Sequence, residues 1–181
     1  MLKKIAYLWG ILGVLALLMS AIIRLSPRIF EMLSYTLTPL HWLVLIGFAL
    51  YMAYAEGYRG FHLNFSPRVI ARARYFCQAQ SQPPLLHSIL APALCMGFIH
   101  ADKRRKIIAI TLTSMIILLV ILVSMMPQPW RGIVDAGVVL GLLLGVISIL
   151  YFWVLSWQED WQSPVSADFP SPASETFTEA E

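Results

Sequence analysis

Charge is scarce in this sequence. Only 13% of its 181 residues are Asp, Glu, Lys or Arg, about half the share of a soluble domain. The scarcity is also uneven. Ile5–Ile23 (19 residues) and Ile107–Met126 carry no charge, and Ile133–Trp157 carries only Asp135 near one end. Hydrophobic residues make up 59% of the chain and the mean hydropathy is +0.72. A soluble core of this size cannot hide so much apolar surface, so lipid must act as part of the solvent. The net charge of +3 is too small to suggest a nucleic-acid partner. The fold class expected is an all-α integral membrane protein.

Reactive motifs are missing too. The two cysteines, Cys77 and Cys95, form no CxxC pair and make no disulfide framework; they read as small packing residues. No HExxH, HxxxH or Cys/His cluster is present, so no metal is expected. His87 and His100 are 13 residues apart, which puts them on different faces of a helix and speaks against a haem pair. No P-loop, GxGxxG or GxSxG occurs. No catalytic residue and no cofactor is therefore expected. The first apolar run also lacks an A-x-A-like cleavage site and exceeds the roughly 7–15 residues of a signal core, so it reads as an uncleaved anchor.

What the chain has instead is spans. A crossing helix needs about 20 mostly apolar residues. Four segments qualify, at 5–23, 38–56, 107–126 and 133–157. A fifth, Leu85–Ala101, has 17 residues with Pro92 in its middle. As a helix it reaches only about 25 Å, short of the roughly 30 Å hydrocarbon core. Charge decides its status, because cytoplasmic loops collect Lys and Arg. With five crossings the basic residues divide seven against six. With four, Lys3, Lys4, Arg59, Arg68, Arg72, Arg74 and Lys103–Lys106 lie inside, against Arg24, Arg28 and Arg131 outside, ten to three. Four crossings are expected, with 85–101 as a re-entrant or fifth helical segment packed against the bundle. The six Trp cluster towards span ends, as interfacial rings do. The expected location is a cell membrane of the bacterial inner-membrane type, with both termini cytoplasmic.

Between the spans, Leu25-Ser26-Pro27-Arg28-Ile29 recurs as Phe65-Ser66-Pro67-Arg68-Val69. Ser at a cap and Pro in the first helical position suggest that each opens a short helix. Across 66–80, Val69, Ile70, Ala73, Phe76 and Cys77 share one face, which predicts a basic amphipathic helix lying in the cytoplasmic interface. Arg131 and Asp135, four apart, and Glu56 and Arg59, three apart, can form ion pairs at span ends. In the last span Gly137, Gly141 and Gly145 form overlapping GxxxG motifs, and Ala49, Ala53 and Gly57 give a similar stripe on the second. Small residues allow close helix approach, either within the chain or in a homodimer. From Gln158 the composition turns acidic and rich in Ser and Pro without Lys or Arg, which predicts a disordered tail over 158–181 beside a membrane domain over 1–157.

The middles of the four spans hold no ionisable residue, which counts against a proton-coupled pump or charged-ion channel built from one chain. These observations favour a non-catalytic accessory, scaffold or assembly subunit, paired with itself or with another membrane protein. A second reading draws on the cytoplasmic-side arginines. Arg59, Arg68, Arg72 and Arg104 have donors that match two phosphate oxygens, and with Glu56, His62, His100 and Asp102 nearby they could bind or modify a phosphate-bearing anionic lipid. A third, passage of an uncharged solute through an oligomer, is compatible with the charge-free spans.

Overall fold

The computed structural model describes residues 2–78, 91–96, 103–158 and 161–165. All regular structure among them is helical. Helix α1 runs Leu2–Leu33, α2 Pro39–Met52, α3 Ser66–Gln78, α4 Ala91–Met96, α5 Lys103–Ser124 and α6 Trp130–Leu155. A π-helical segment, Ala53–Phe65, joins α2 to α3 without a break. Three helical stretches are long and apolar enough to cross a membrane: Ile5–Leu33, Pro39–Arg74 and Trp130–Leu155.

Neither Ser-Pro pair starts a helix out of a loop: the first lies inside α1, and the second marks the passage from the π segment to α3. Pro27 lies inside α1, and Ser26 Oγ donates to the Ile22 carbonyl at 2.7 Å. Ser66 keeps α-helical angles (φ −61°, ψ −48°), and the chain runs straight on from the π segment into α3. A residue before proline normally avoids this conformation. Here Ser66 is fully buried, so packing on both sides overrides the local preference. The second helix therefore continues well beyond Glu56, where the apolar run ends.

The start of α2 follows local chemistry. Pro39 occupies the first turn, where a missing N–H costs nothing. The Thr38 N–H donates to His41 Nδ1 at 3.1 Å, and the His41 ring meets Trp130 edge-on at 4.8 Å, tying α2 to the first turn of α6. In the π segment aromatic rings four residues apart stack: Tyr54 with Tyr58 at 6.2 Å, and Tyr58 with His62 at 5.8 Å. A wider helix brings positions i and i+4 closer to eclipse than an α-helix does.

Helix α6 is the centre of the bundle, packing on α1, α2 and the π segment. It runs antiparallel to α1: Gly132 meets Met32, while Ser156 Oγ lies 3.4 Å from Tyr7 Oη. The main core cluster sits at the Tyr7 end, where Ala6, Ile11 and Val14 meet Val69, Ile70, Ala73, Ala91, Cys95, Ile149 and Phe152. The apolar face predicted for 66–80 is thus covered by protein at Val69, Ile70 and Ala73. The periodicity identified the face but not what covers it. Residues 79–80 and the side chains of Phe76 and Cys77 lie outside the described residues.

Of the expected segment 85–101, only Ala91–Met96 is described. It packs on α1, where Gly10 admits Cys95 and Gly13 admits Pro92. Most of the predicted tail, 159–160 and 166–181, lies outside the described residues. Its start docks on α3: Arg74 Nη1 donates to the Trp161 carbonyl at 3.0 Å, and the Arg74 guanidinium lies 5.4 Å from the Trp161 ring centre. Among the described residues helix α5 has little contact with the bundle. Every residue from Ser114 to Leu122 is exposed.

Candidate functional site

Each small residue on the inner face of α6 receives a side chain from the helix beside it. A Cβ on Gly137 would come within 2.5 Å of the Phe48 ring, one on Gly141 within 2.8 Å of Glu56 Oε2, and one on Gly145 within 2.7 Å of the Phe61 ring. In return Gly57 admits Leu144, whose Cδ1 would lie 2.6 Å from a Cβ there. Gly137, Gly141 and Gly145 are therefore occupied inside the chain. Ala49 and Ala53, on the facing helix, are half-buried.

Polar side chains follow the same seam. Asp135, only 4% exposed, lies 3.8 Å from Arg131 Nε. Glu56 faces Gly141. His62 Nδ1 lies 3.1 Å from Ser148 Oγ, and the His62 ring packs on Tyr151 and Phe152. At the far end Tyr7 meets Ser156. From Asp135 to Ser156 the row covers about 31 Å of helix axis at 1.5 Å per residue, the thickness of a hydrocarbon core.

Glu56 is the residue in this row that sequence reasoning misplaced. Gly141 is about 17 Å from the start of α6 and about 21 Å from its end at the α-helical rise. Glu56 therefore sits near mid-length of the bundle, not at a span end. Among the described residues it makes no ion pair with Arg59, which is exposed, and its Oε2 is buried without a hydrogen-bond partner. One sequence signal was available. The stripe Ala49, Ala53, Gly57 runs past position 56 in helical register, so the packed helix had to continue there.

Of the four arginines considered for phosphate, three have described side chains. Arg59 is exposed on the π segment, Arg68 is half-buried, and Arg72 is 1% exposed within the core around α3. The side chain of Arg104 lies outside the described residues, as do His87, His100 and Asp102. Among the described residues no group of three His, Cys, Asp or Glu could hold a metal ion.

The chemistry this row offers is hydrogen bonding and proton binding in an apolar setting. Its class is a helical membrane protein with a polar seam between two packed helices. Comparison with protein-family models, with curated proteins and with solved structures yields no match.

Proposed function

We propose that the chain is a non-catalytic membrane protein, an accessory, scaffold or assembly subunit, that crosses the membrane four times with both ends in the cytoplasm. The observation that carries this reading is the isolation of α5. The helix has 22 residues, about 33 Å at the α-helical rise, enough for a fourth crossing. Its stretch Ser114–Leu122 is exposed on every side and its bundle contacts are few. Because Gly137, Gly141 and Gly145 are filled from within, α5 rather than the glycine stripe is the helix left to meet a second copy or another membrane protein.

Orientation follows from charge. Arg68 and Arg74 lie on α3 at the end of the bundle marked by Tyr7 and Ser156, and Lys3 and Lys4 are in the first turn of α1 at that same end. Arg28 and Arg131 lie at the other. The positive-inside rule makes the first end cytoplasmic.

Two measurements test the reading in native membranes. A reporter active only in the cytoplasm is fused after Glu181; activity supports four crossings, and silence with activity of an external reporter overturns them. A single cysteine is placed at Val120 in a chain with Cys77 and Cys95 replaced by Ser, and is cross-linked. A defined dimer or hetero-adduct supports association through α5. A chain that stays monomeric at Val120, as at the lipid-facing control Ile147→Cys, removes it.

A further inference from the structure

We propose that Glu56 is a proton-binding site at mid-depth of the bundle, its carboxyl carried as the neutral acid against Gly141. This goes beyond the assembly role and does not depend on it.

Three observations combine. First, one carboxyl oxygen is enclosed: on this half-buried residue Oε2 is buried without a hydrogen-bond partner among the described residues, and it fills the space a side chain on residue 141 would take. Second, among the described residues no cation forms an ion pair with it. On its own helix the nearest titratable groups are Tyr54, Tyr58, Arg59 and His62. The first three are exposed, and His62 is paired with Ser148 on the next level of the seam. From α6 the seam brings Asp135, about 9 Å along the axis, which is itself opposite Arg131. The neighbouring α2 brings Tyr51, which is exposed, and His41, at its far end beside Trp130. Third, Gly141 lies near mid-length of α6, a helix long and apolar enough to cross, which corresponds to hydrocarbon depth in a bilayer. An uncompensated carboxylate there is costly, and such residues mark proton or ion paths. Binding one proton removes the charge and leaves an O–H donor.

Towards the Tyr7 end the seam holds further proton-carrying groups, with the Phe61 ring at Gly145 between Glu56 and His62. His62 and Ser148 lie about 10 Å below Gly141 along α6, and Tyr7 and Ser156 lie beyond them at the end of the bundle. Loading and unloading of Glu56 are assigned to the Tyr7 end, by way of His62.

Infrared difference spectroscopy on the full chain in vesicles of neutral phospholipid tests this across a pH ramp. The expected result at neutral pH is a protonated-carboxyl C=O band. It should shift in D2O, persist in Asp135→Asn and disappear in Glu56→Gln. In His62→Phe the band should remain, but its hydrogen–deuterium exchange should slow by tenfold or more. The proton site is overturned if the wild-type spectrum lacks a deuterium-sensitive C=O band at neutral pH, an outcome that does not require the Glu56 variant to fold. It is also overturned if the band survives in Glu56→Gln. Loss of the band on adding NaCl at fixed pH overturns it too, since the site would then hold a metal cation. Unchanged exchange in His62→Phe overturns the route.

Discussion

Glu56 and Gly141 form one feature: the carboxyl oxygen lies 2.8 Å from where a Cβ on residue 141 would be. The glycine stripe is usually read as a means of bringing backbones together. Here one of its members makes room for an acid.

That relationship predicts the effect of filling the glycines. Gly141→Ala should cost about 1–3 kcal/mol of unfolding free energy, as overpacking does. Gly137→Ala should behave similarly, because its Cβ meets the Phe48 ring at 2.5 Å. Gly47, with nothing within 4 Å, is the control. Gly47→Ala should be neutral or stabilising by up to about 1 kcal/mol, the gain in helix propensity. Reversible unfolding in mixed micelles distinguishes the two groups. Equal effects at Gly47 and Gly141 would refute the packing.

The same pair should show coupling. In a Glu56→Ala background the added methyl of Gly141→Ala no longer meets Oε2, so its cost should fall. A double-mutant cycle measures this directly, and the interaction term should be about 0.5–3 kcal/mol. A term of zero would mean that the two residues do not touch.

Ser148 and His62 bridge the π segment and α6 at 3.1 Å. Ser148→Ala should lose about 1 kcal/mol. It should also alter the environment of the Tyr151 ring packed on His62, visible as a change in near-ultraviolet circular dichroism. Unaltered stability and spectrum would place the histidine elsewhere.

Cys95 is 2% exposed, in contact with α1 at Gly10. In a Cys77→Ser chain its reaction with maleimide should be slower than in denaturant by a hundredfold or more. Gly10→Ala should speed it, because a Cβ there would lie 2.8 Å from Sγ. Rapid labelling of the folded chain would mean that α4 does not dock on α1.

Trp161 holds the start of the tail on α3. Trp161→Ala removes the ring beside Arg74, a contact worth about 0.5–1 kcal/mol at an exposed site. Limited proteolysis after residue 158 should become several times faster. The helical core should melt as before. If the cleavage rate does not change, the docking is not populated.

Much of the helical content was legible in the sequence, because uninterrupted apolar runs leave little choice of structure. The run ending at Ile23 lies in α1, and the one starting at Ile133 lies in α6. Less legible was where helices end. Ser26 and Ser66 carry capping chemistry, yet both lie inside continuous helices, since the contacts that keep the chain helical there come from residues far away in sequence. The depth of Glu56 was hidden for the same reason. Hydropathy falls after Ala55, but α6 packs beside the whole π segment and carries the apolar layer past it. The glycine stripe was readable as a contact surface. Its occupants were not, because nothing in the spacing of Gly137, Gly141 and Gly145 specifies an acid between two aromatic rings.

The π segment changes how length relates to fit. On α6 the receiving positions are evenly spaced, four residues from Gly137 to Gly141 and four more to Gly145. On the facing helix Gly137 meets both Phe48 and Met52, and the steps from there are four residues from Met52 to Glu56 and five from Glu56 to Phe61. A π turn closes between i and i+5 and takes up the odd residue. The two helices thus stay in step while counting differently, as two scales of unequal division can share their marks. Removing one residue between Glu56 and Phe61 would make the two step counts equal and shorten the 13-residue π segment from its interior. Removing one from α6 between Gly141 and Gly145 would rotate every later position by about 100° and take Ser148 away from His62.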